Sequence, residues 1–389
     1  MDASYVPYLA CALKHNTTLA AVDLNRNQIR QEEIQHVANA LGNNMTLDTL
    51  NLDKNRMGQE GAQYLADVLR NNTTLTLTTL NIGGHRIGHE GIQHLADALQ
   101  NNNTLIKLSI GGNQIGLKGI QYLANALEKN TTLTTLDLQD NHIGDEGMQY
   151  LCNVLRKTQT LTTLDLSSNQ IEASGVRHLA DVLENNSTLV TLSLRDNETR
   201  SKGVAYLAYA LQMNMTLTVL NLRFNYIDDD GVEHLANALR TNKTLTTLNL
   251  SKNQITATGS RYLADALQKN TTLTALDLER NQIGMMGTKH LANMLQTNST
   301  LMILNLWDNR IKDKGAEYLA SVLETNMTLT ILDIGSNNIR DNGAEHLAHA
   351  LQTNKTLIKL NLQNNSIVID LIQRINELIK KNILSNKEI

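Results

Sequence analysis

Residues 270–297 read NTTLTALDLERNQIGMMGTKHLANMLQT. The first half, LTALDLERN (273–281), alternates apolar and polar residues, the period of a half-buried strand. The second half changes period. Leu291 and Leu295 stand one helical turn apart on the same side, with the small Ala292 beside them and Gly287 ahead. Such a strand–helix unit cannot bury both apolar faces by itself, so it requires neighbours of its own kind. The chain supplies them. The phrase L-x-L-x-x-N recurs with its Asn at 27, 55, 113, 141, 169, 197, 225, 253, 281, 309, 337 and 365, and His85 fills the missing slot. The step is 28 residues, except for 30 between Asn55 and His85, where TTLTLTTL (73–80) carries two extra residues. Thirteen repeats therefore fill most of the 389 residues.

Composition bounds the rest. The hydrophobic share is 41% with one Trp, one Phe and one Pro, so the core is aliphatic. Net charge is −4 with mixed signs, which gives no electrostatic footprint for nucleic acid. Cys11 and Cys152 have neither disulfide nor zinc spacing. The N-terminus lacks a basic stretch before an apolar core, and no run of 18 apolar residues occurs. These features read as a reducing cytoplasm, with no membrane span and no cofactor or metal.

A second Asn recurs in phase, within N-x-S/T triplets at Asn16, Asn44, Asn72, Asn102, Asn130, Asn186, Asn214, Asn242, Asn270, Asn298, Asn326 and Asn354; Thr158 replaces it once. The triplet matches a glycan acceptor. Its regular phase predicts structural punctuation instead, each Asn ending a helix in the left-handed conformation. The Asn of the N-x-I phrase is expected to point inward and form a ladder, locally distorted at His85. A further column alternates Tyr and His before the aliphatic helix residue, from Tyr8 to His346, with a defect at Tyr150. It reads as a half-exposed helix position rather than a metal site, because helix columns stand about 10 Å apart.

This pattern resembles the leucine-rich repeat family. The 28-residue period with a full helix in each repeat looks like the ribonuclease-inhibitor subtype, shared with NOD-like receptors and the Ran GTPase-activating protein. The resemblance implies an α/β solenoid, a horseshoe with parallel strands on the concave face and helices on the convex face. One domain spans 1–389: a half-repeat cap at 1–16, thirteen repeats at 17–367, and a capping helix and tail at 368–389. The apolar face of that helix would include Ile369, Leu371, Ile372, Ile375, Leu378 and Ile379.

In this family function sits in the variable positions. Residues four and two before the N-x-I Asn face the hollow. The first column is uniformly small and polar; the second is diverse and includes Arg195, Arg223, Glu279 and Trp307. Phe224, Arg280 and Asp308 precede their Asn, and Tyr226 and Arg310 follow theirs. The rare aromatics thus fall in repeats 8 to 11, with Phe224 and Trp307 roughly 15 Å apart at about 4.8 Å per strand. Trp, Tyr and Arg are the residue types enriched at interface hot spots. These nine residues are the candidate partner-binding set. The glycine pairs Gly83-Gly84 and Gly111-Gly112 read equally as room for a partner backbone or as relief of strain.

The expected function is a monomeric, non-enzymatic scaffold for a protein partner. Near-identical repeats rich in Asn, Thr and Ile also resemble effectors of intracellular bacteria, which implies a host protein as partner and non-classical export, with the tail KKNILSNKEI as a candidate signal. The alternative is regulation of a small GTPase, with Arg195, Arg223, Arg280 and Arg310 available to stabilise phosphate charge.

Overall fold

A computed structural model describes residues 3–71 and 76–385. The chain clusters into two compact units, Met1–Asn197 and Glu198–Ile389. The first carries strands β1 (Ala21–Asp23), β2 (Thr49–Asn51), β3 (Thr79–Asn81), β4 (Lys107–Ser109), β5 (Thr135–Asp137), β6 (Thr163–Asp165) and β7 (Thr191–Ser193). The second carries β8 (Val219–Asn221), β9 (Thr247–Asn249), β10 (Ala275–Asp277), β11 (Ile303–Asn305), β12 (Ile331–Asp333) and β13 (Lys359–Asn361). Within each unit the strands are parallel, follow chain order and pair in register, so Leu276 aligns with Leu248 and Leu304. A helix follows every strand, as with Gly284–Leu295 after β10.

The expected core is the observed one. Leu273, Leu276, Leu278, Ile283, Leu291, Ala292 and Leu295 are each at most 3% exposed. Burial of each Leu contributes about 2 kcal/mol. The strands are only three residues long, because the chain must then turn back over this apolar layer. Side-chain amides make that turn possible. Asn253 donates from Nδ2 to the carbonyls of Leu250 (2.9 Å) and Leu222 (3.0 Å). Its Oδ1 accepts from the backbone amides of Asn225 (2.9 Å) and Ile227 (3.0 Å). The same four bonds recur around Asn55, Asn197 and Asn365.

The triplet Asn forms a second ladder, and here one expectation is corrected. Asn16, Asn214 and Asn354 have φ of −80°, −70° and −65° with extended ψ, not left-handed backbone. The conformation is dictated by the side chain. Asn270 Oδ1 accepts from the amides of Thr272 (3.0 Å) and Leu273 (2.8 Å), while Nδ2 reaches back to the Leu239 carbonyl (2.8 Å). The Thr earns its place too: Thr300 Oγ1 lies 3.3 Å from the Asn270 carbonyl of the previous repeat. The acceptor-like triplet thus arises from two inter-repeat hydrogen bonds. Asn242, Asn270 and Asn354 are at most 3% exposed and closed to a glycan in the fold. Asn72 and part of the two-residue insertion lie outside the described residues. At Thr158 the short hydroxyl meets Thr160 Oγ1 (3.4 Å), and an apolar void of about 10 Å³ opens between Leu127, Leu133, Leu151 and Leu161.

The left-handed residues lie instead beside the first ladder. Phe224, Lys252, Arg280 and Asp308 precede their Asn, and Tyr226 and Arg310 follow theirs, with φ between 52° and 59°. Both ends are covered by helices. Val6–His15 buries Val6, Ala10 and Leu13. Ile369–Ser385 buries Leu371, Ile375 and Ile379, but Ile369, placed on its apolar face by the sequence, is 71% exposed at the helix start. Asn382 adds a rung of the second ladder, donating to the carbonyls of Asn354 and Leu357 (both 3.0 Å).

His85 takes an Asn position without leaving the ladder. The ring is 2% exposed; Nε2 lies 2.8 Å from the Leu52 carbonyl and Nδ1 accepts from the Met57 amide (3.4 Å). These partners fix the neutral Nε2–H tautomer. Burial lowers its pKa from 6.5 to about 4. The folded-state pKa is the lower one, so this stability is present above pH 6.5 and is lost as pH falls from 6.5 towards 4. His85→Asn therefore gains on the wild type by about 3 kcal/mol between neutral pH and pH ~4. Denaturant melts at both pH values check this; parallel pH profiles would refute the buried neutral imidazole.

Candidate functional site

The sheet face opposite the helices carries the residues between the buried leucines. In the second unit it holds an ordered charge chain. Arg223, just past β8, reaches over β9: its Nη1 donates to Ser251 Oγ (3.1 Å) and lies 3.4 Å from Glu279 Oε2. Both partners of this pair are about one-fifth exposed, which sets it apart from a fully solvated surface pair. Arg280 Nε stands 3.8 Å from Glu279 Oε1 and 3.6 Å from Asp308 Oδ2. Signs thus alternate Arg223–Glu279–Arg280–Asp308 across four repeats. Beneath them the polar column is bonded sideways, Ser251 Oγ to Asn249 Oδ1 (2.7 Å) and Asn249 Nδ2 to Asp277 Oδ2 (3.1 Å). Burial pushes the Asp277 carboxyl up, although it accepts the Glu279 amide (2.9 Å).

Aromatics flank the chain. The Phe224 and Tyr226 rings lie 5.5 Å apart, tilted by 39°, and are 41% and 43% exposed. Both hold left-handed backbone at a cost of about 1–2 kcal/mol each, imposed by the rung at Asn225. Trp307 is half-buried. Its six-membered ring lies on the backbone of Gly335 in the next repeat, where a Cβ would overlap ring carbons. The indole therefore packs against Gly335 rather than extending freely into the hollow. Arg310 is exposed at the same rim. Arg195 belongs to the first unit, where it is exposed and its carbonyl accepts from the Ser168 amide (2.8 Å). The structure thus brings together Arg223, Glu279, Arg280 and Asp308 by ion pairs, and Phe224 with Tyr226 by ring contact.

Other candidates resolve locally. Gly84 and Gly112 have φ of 75° and 67°, the left-handed slot that precedes every rung. Gly111 underlies the Gln139 side chain, and the Gly83 amide donates to Asp53 Oδ1 (2.6 Å). These glycines serve turn geometry and neighbouring side chains. Cys152 is buried and its pKa is pushed up to about 12, whereas Cys11 is exposed. In the Tyr/His column, Arg261 sits over the ring of Tyr262 (4.9 Å), and Lys289 and Lys314 over that of Tyr318 (5.5 and 5.4 Å). Among the described residues, no group of three His, Cys, Asp or Glu is placed to hold a metal, and no helix is long and apolar enough to cross a membrane.

Two residues of the site escaped the sequence reading. Ser251 bridges Arg223 to its carboxylate neighbourhood, and Gly335 seats the indole. The signal for Gly335 was available: glycine stands in the variable column one repeat after the single Trp.

Comparison with known proteins agrees with this architecture. Residues 2–118 match the model of the TMOD/LMOD leucine-rich domain. Segments at 129–152, 157–180, 214–236, 241–264, 269–286, 297–320 and 325–348 match that of the leucine rich repeat. The chain is a leucine-rich repeat protein. No curated protein matches it significantly. Among solved structures it is similar to the yeast Rad7 and Elc1 complex, with 18% identity and a TM-score of 0.53 over 87% of this chain and 74% of that one. It is also similar to the internalin inlF of Listeria monocytogenes, with 20% identity and a TM-score of 0.52 over 96% and 92% of the two chains. At these identities the likeness concerns the fold.

The Trp307–Gly335 contact is testable because the chain has a single Trp. Gly335→Ala should lift the indole off its seat, shifting its fluorescence to the red and increasing acrylamide quenching severalfold, with circular dichroism unchanged. An unaltered emission spectrum would contradict the packing.

Proposed function

We propose that the protein is a non-enzymatic, monomeric scaffold that binds one protein partner through the open sheet face and rim of repeats 8 to 11. The observation that carries this reading is a charge chain already ordered before any partner arrives. Arg223, Glu279, Arg280 and Asp308 restrain one another, and Trp307 is laid on Gly335. Pre-ordered Arg and Trp lose less conformational entropy on binding than free side chains do. Exposed Phe224 and Tyr226 supply apolar area beside them. The Rad7 structure, which holds Rad7 together with Elc1, supports a binding role for such a fold.

The same ion pairs argue against GTPase regulation. An arginine that stabilises phosphate charge must be free to reach it. Arg223 and Arg280 already face carboxylates. The 28-residue period and full helix of each repeat support the ribonuclease-inhibitor subtype within the family. The Asn-, Thr- and Ile-rich composition supports the finer reading of a bacterial effector acting on a eukaryotic host protein in the host cytoplasm.

Capture from eukaryotic lysate tests the site. A partner retained by wild type should be lost by Phe224→Ala/Trp307→Ala, each truncation weakening affinity about 30-fold. A variant that melts like wild type and captures the same protein equally well would move the site elsewhere. Accelerated GTP hydrolysis by any of a panel of small GTPases would restore the alternative.

A further inference from the structure

The first unit carries a surface of different character. Arg26, Lys54, Arg56 and Arg86 line one hollow of about 730 Å³ on the strand-to-helix side of repeats 1 to 3. All four are exposed. The remaining lining is Gln28, Asn55, Gly58, Gly84 and His85, with no carboxylate. None of the four cations is in an ion pair among the described residues. Asp53, next to Lys54, turns one oxygen to the Gly83 amide (2.6 Å). Arg26, Lys54 and Arg86 also occupy left-handed backbone, with φ of 56°, 57° and 55°. Asn or Gly would fill those slots with less strain, as Gly84 does, so the turn itself does not call for a cation there. The hollow concentrates positive charge in a chain whose net charge is −4.

We infer that this hollow is a docking site for a short carboxylate-rich peptide segment of a protein partner. Several observations set the class of ligand. The cations span two strand spacings, about 10 Å, which matches three to four residues of extended peptide at ~3.3 Å each. Guanidinium groups bind carboxylates in bidentate fashion, and three of the four cations are Arg. The Gly58 end of helix Gly58–Asn71 adds the positive pole of its dipole to the lining. A long polyanion such as nucleic acid fits poorly, because the same rim continues to exposed Asp140 in repeat 5. Positive charge extends only as far as a short acidic motif needs. This surface differs from the charge network of repeats 8 to 11, where Arg223 and Arg280 already face carboxylates.

The test titrates a tetraglutamate peptide, with tetraglutamine as control, into the full chain by calorimetry. Wild type should bind tetraglutamate alone, and raising salt from about 0.05 to about 0.2 M should weaken binding severalfold. Lys54→Asn/Arg86→Asn keeps a residue that tolerates left-handed backbone and should lose at least tenfold. Lys252→Asn, the matching change in a repeat of the other unit (φ 53°), should bind as wild type does. Equal binding by the double variant, or no saturable heat with wild type, overturns the proposal. Displacement by equimolar inorganic phosphate would also overturn it, since the hollow would then prefer phosphate groups to carboxylates.

Discussion

Each repeat reverses direction twice over an apolar layer, and each reversal leaves backbone amides and carbonyls that water cannot reach. A buried amide or carbonyl without a partner costs about 1–3 kcal/mol. Asn carries one donor and one acceptor group on a short arm, and at Asn253 it serves four backbone groups at once, one from its own repeat and three from the repeat before. One ladder supports the passage from strand to helix and the other the passage from helix back to strand. Both bond across repeats, so the spacing between repeats is set by hydrogen-bond length as well as by leucine packing.

These ladders place chemistry at the rim. Asn occupies the inside of the turn, so the residue before each rung, and in eight repeats also the residue after it, is driven into left-handed backbone and its side chain to the edge. Those flanking positions need only tolerate the conformation; their identity is otherwise unconstrained by the core. In repeats 1 to 3 they hold Arg26, Lys54 and Arg86, and in repeats 8 to 11 Phe224, Tyr226, Arg280, Asp308 and Arg310. Variation at the rim therefore leaves the core undisturbed, whereas truncating a rung such as Asn253 removes four bonds.

This division explains what the sequence made legible. Strand, helix, register and the inward Asn followed from a 28-residue period, because each depends on a residue type that recurs. The backbone of the triplet Asn did not, since a helix-ending Asn in isolation favours the left-handed region and only the amides of Thr272 and Leu273 and the carbonyl of Leu239 hold Asn270 extended. The variable columns located Arg223, Glu279 and Trp307, yet their partners were hidden. Arg223 meets Glu279 two repeats away, over Ser251, and periodicity gives no information about the reach of an individual side chain. Likewise the column places the indole on the hollow face, and its resting place became visible only with Gly335 beside it.

The two departures from the ladders show what the rungs require. His85 retains a donor and an acceptor on opposite sides of one ring, long enough to span from the Leu52 carbonyl to the Met57 amide. It preserves the rung but adds a proton equilibrium that Asn lacks, which burial then drives towards the neutral form. Thr158 keeps polarity but not reach, and its hydroxyl turns to Thr160 while a void of about 10 Å³ opens among leucines. A cavity of that size is at the lower limit for a single water, and its apolar lining offers such a water few partners. The rung therefore selects for reach together with paired donor and acceptor, and a hydroxyl that satisfies the second condition in part cannot replace the amide.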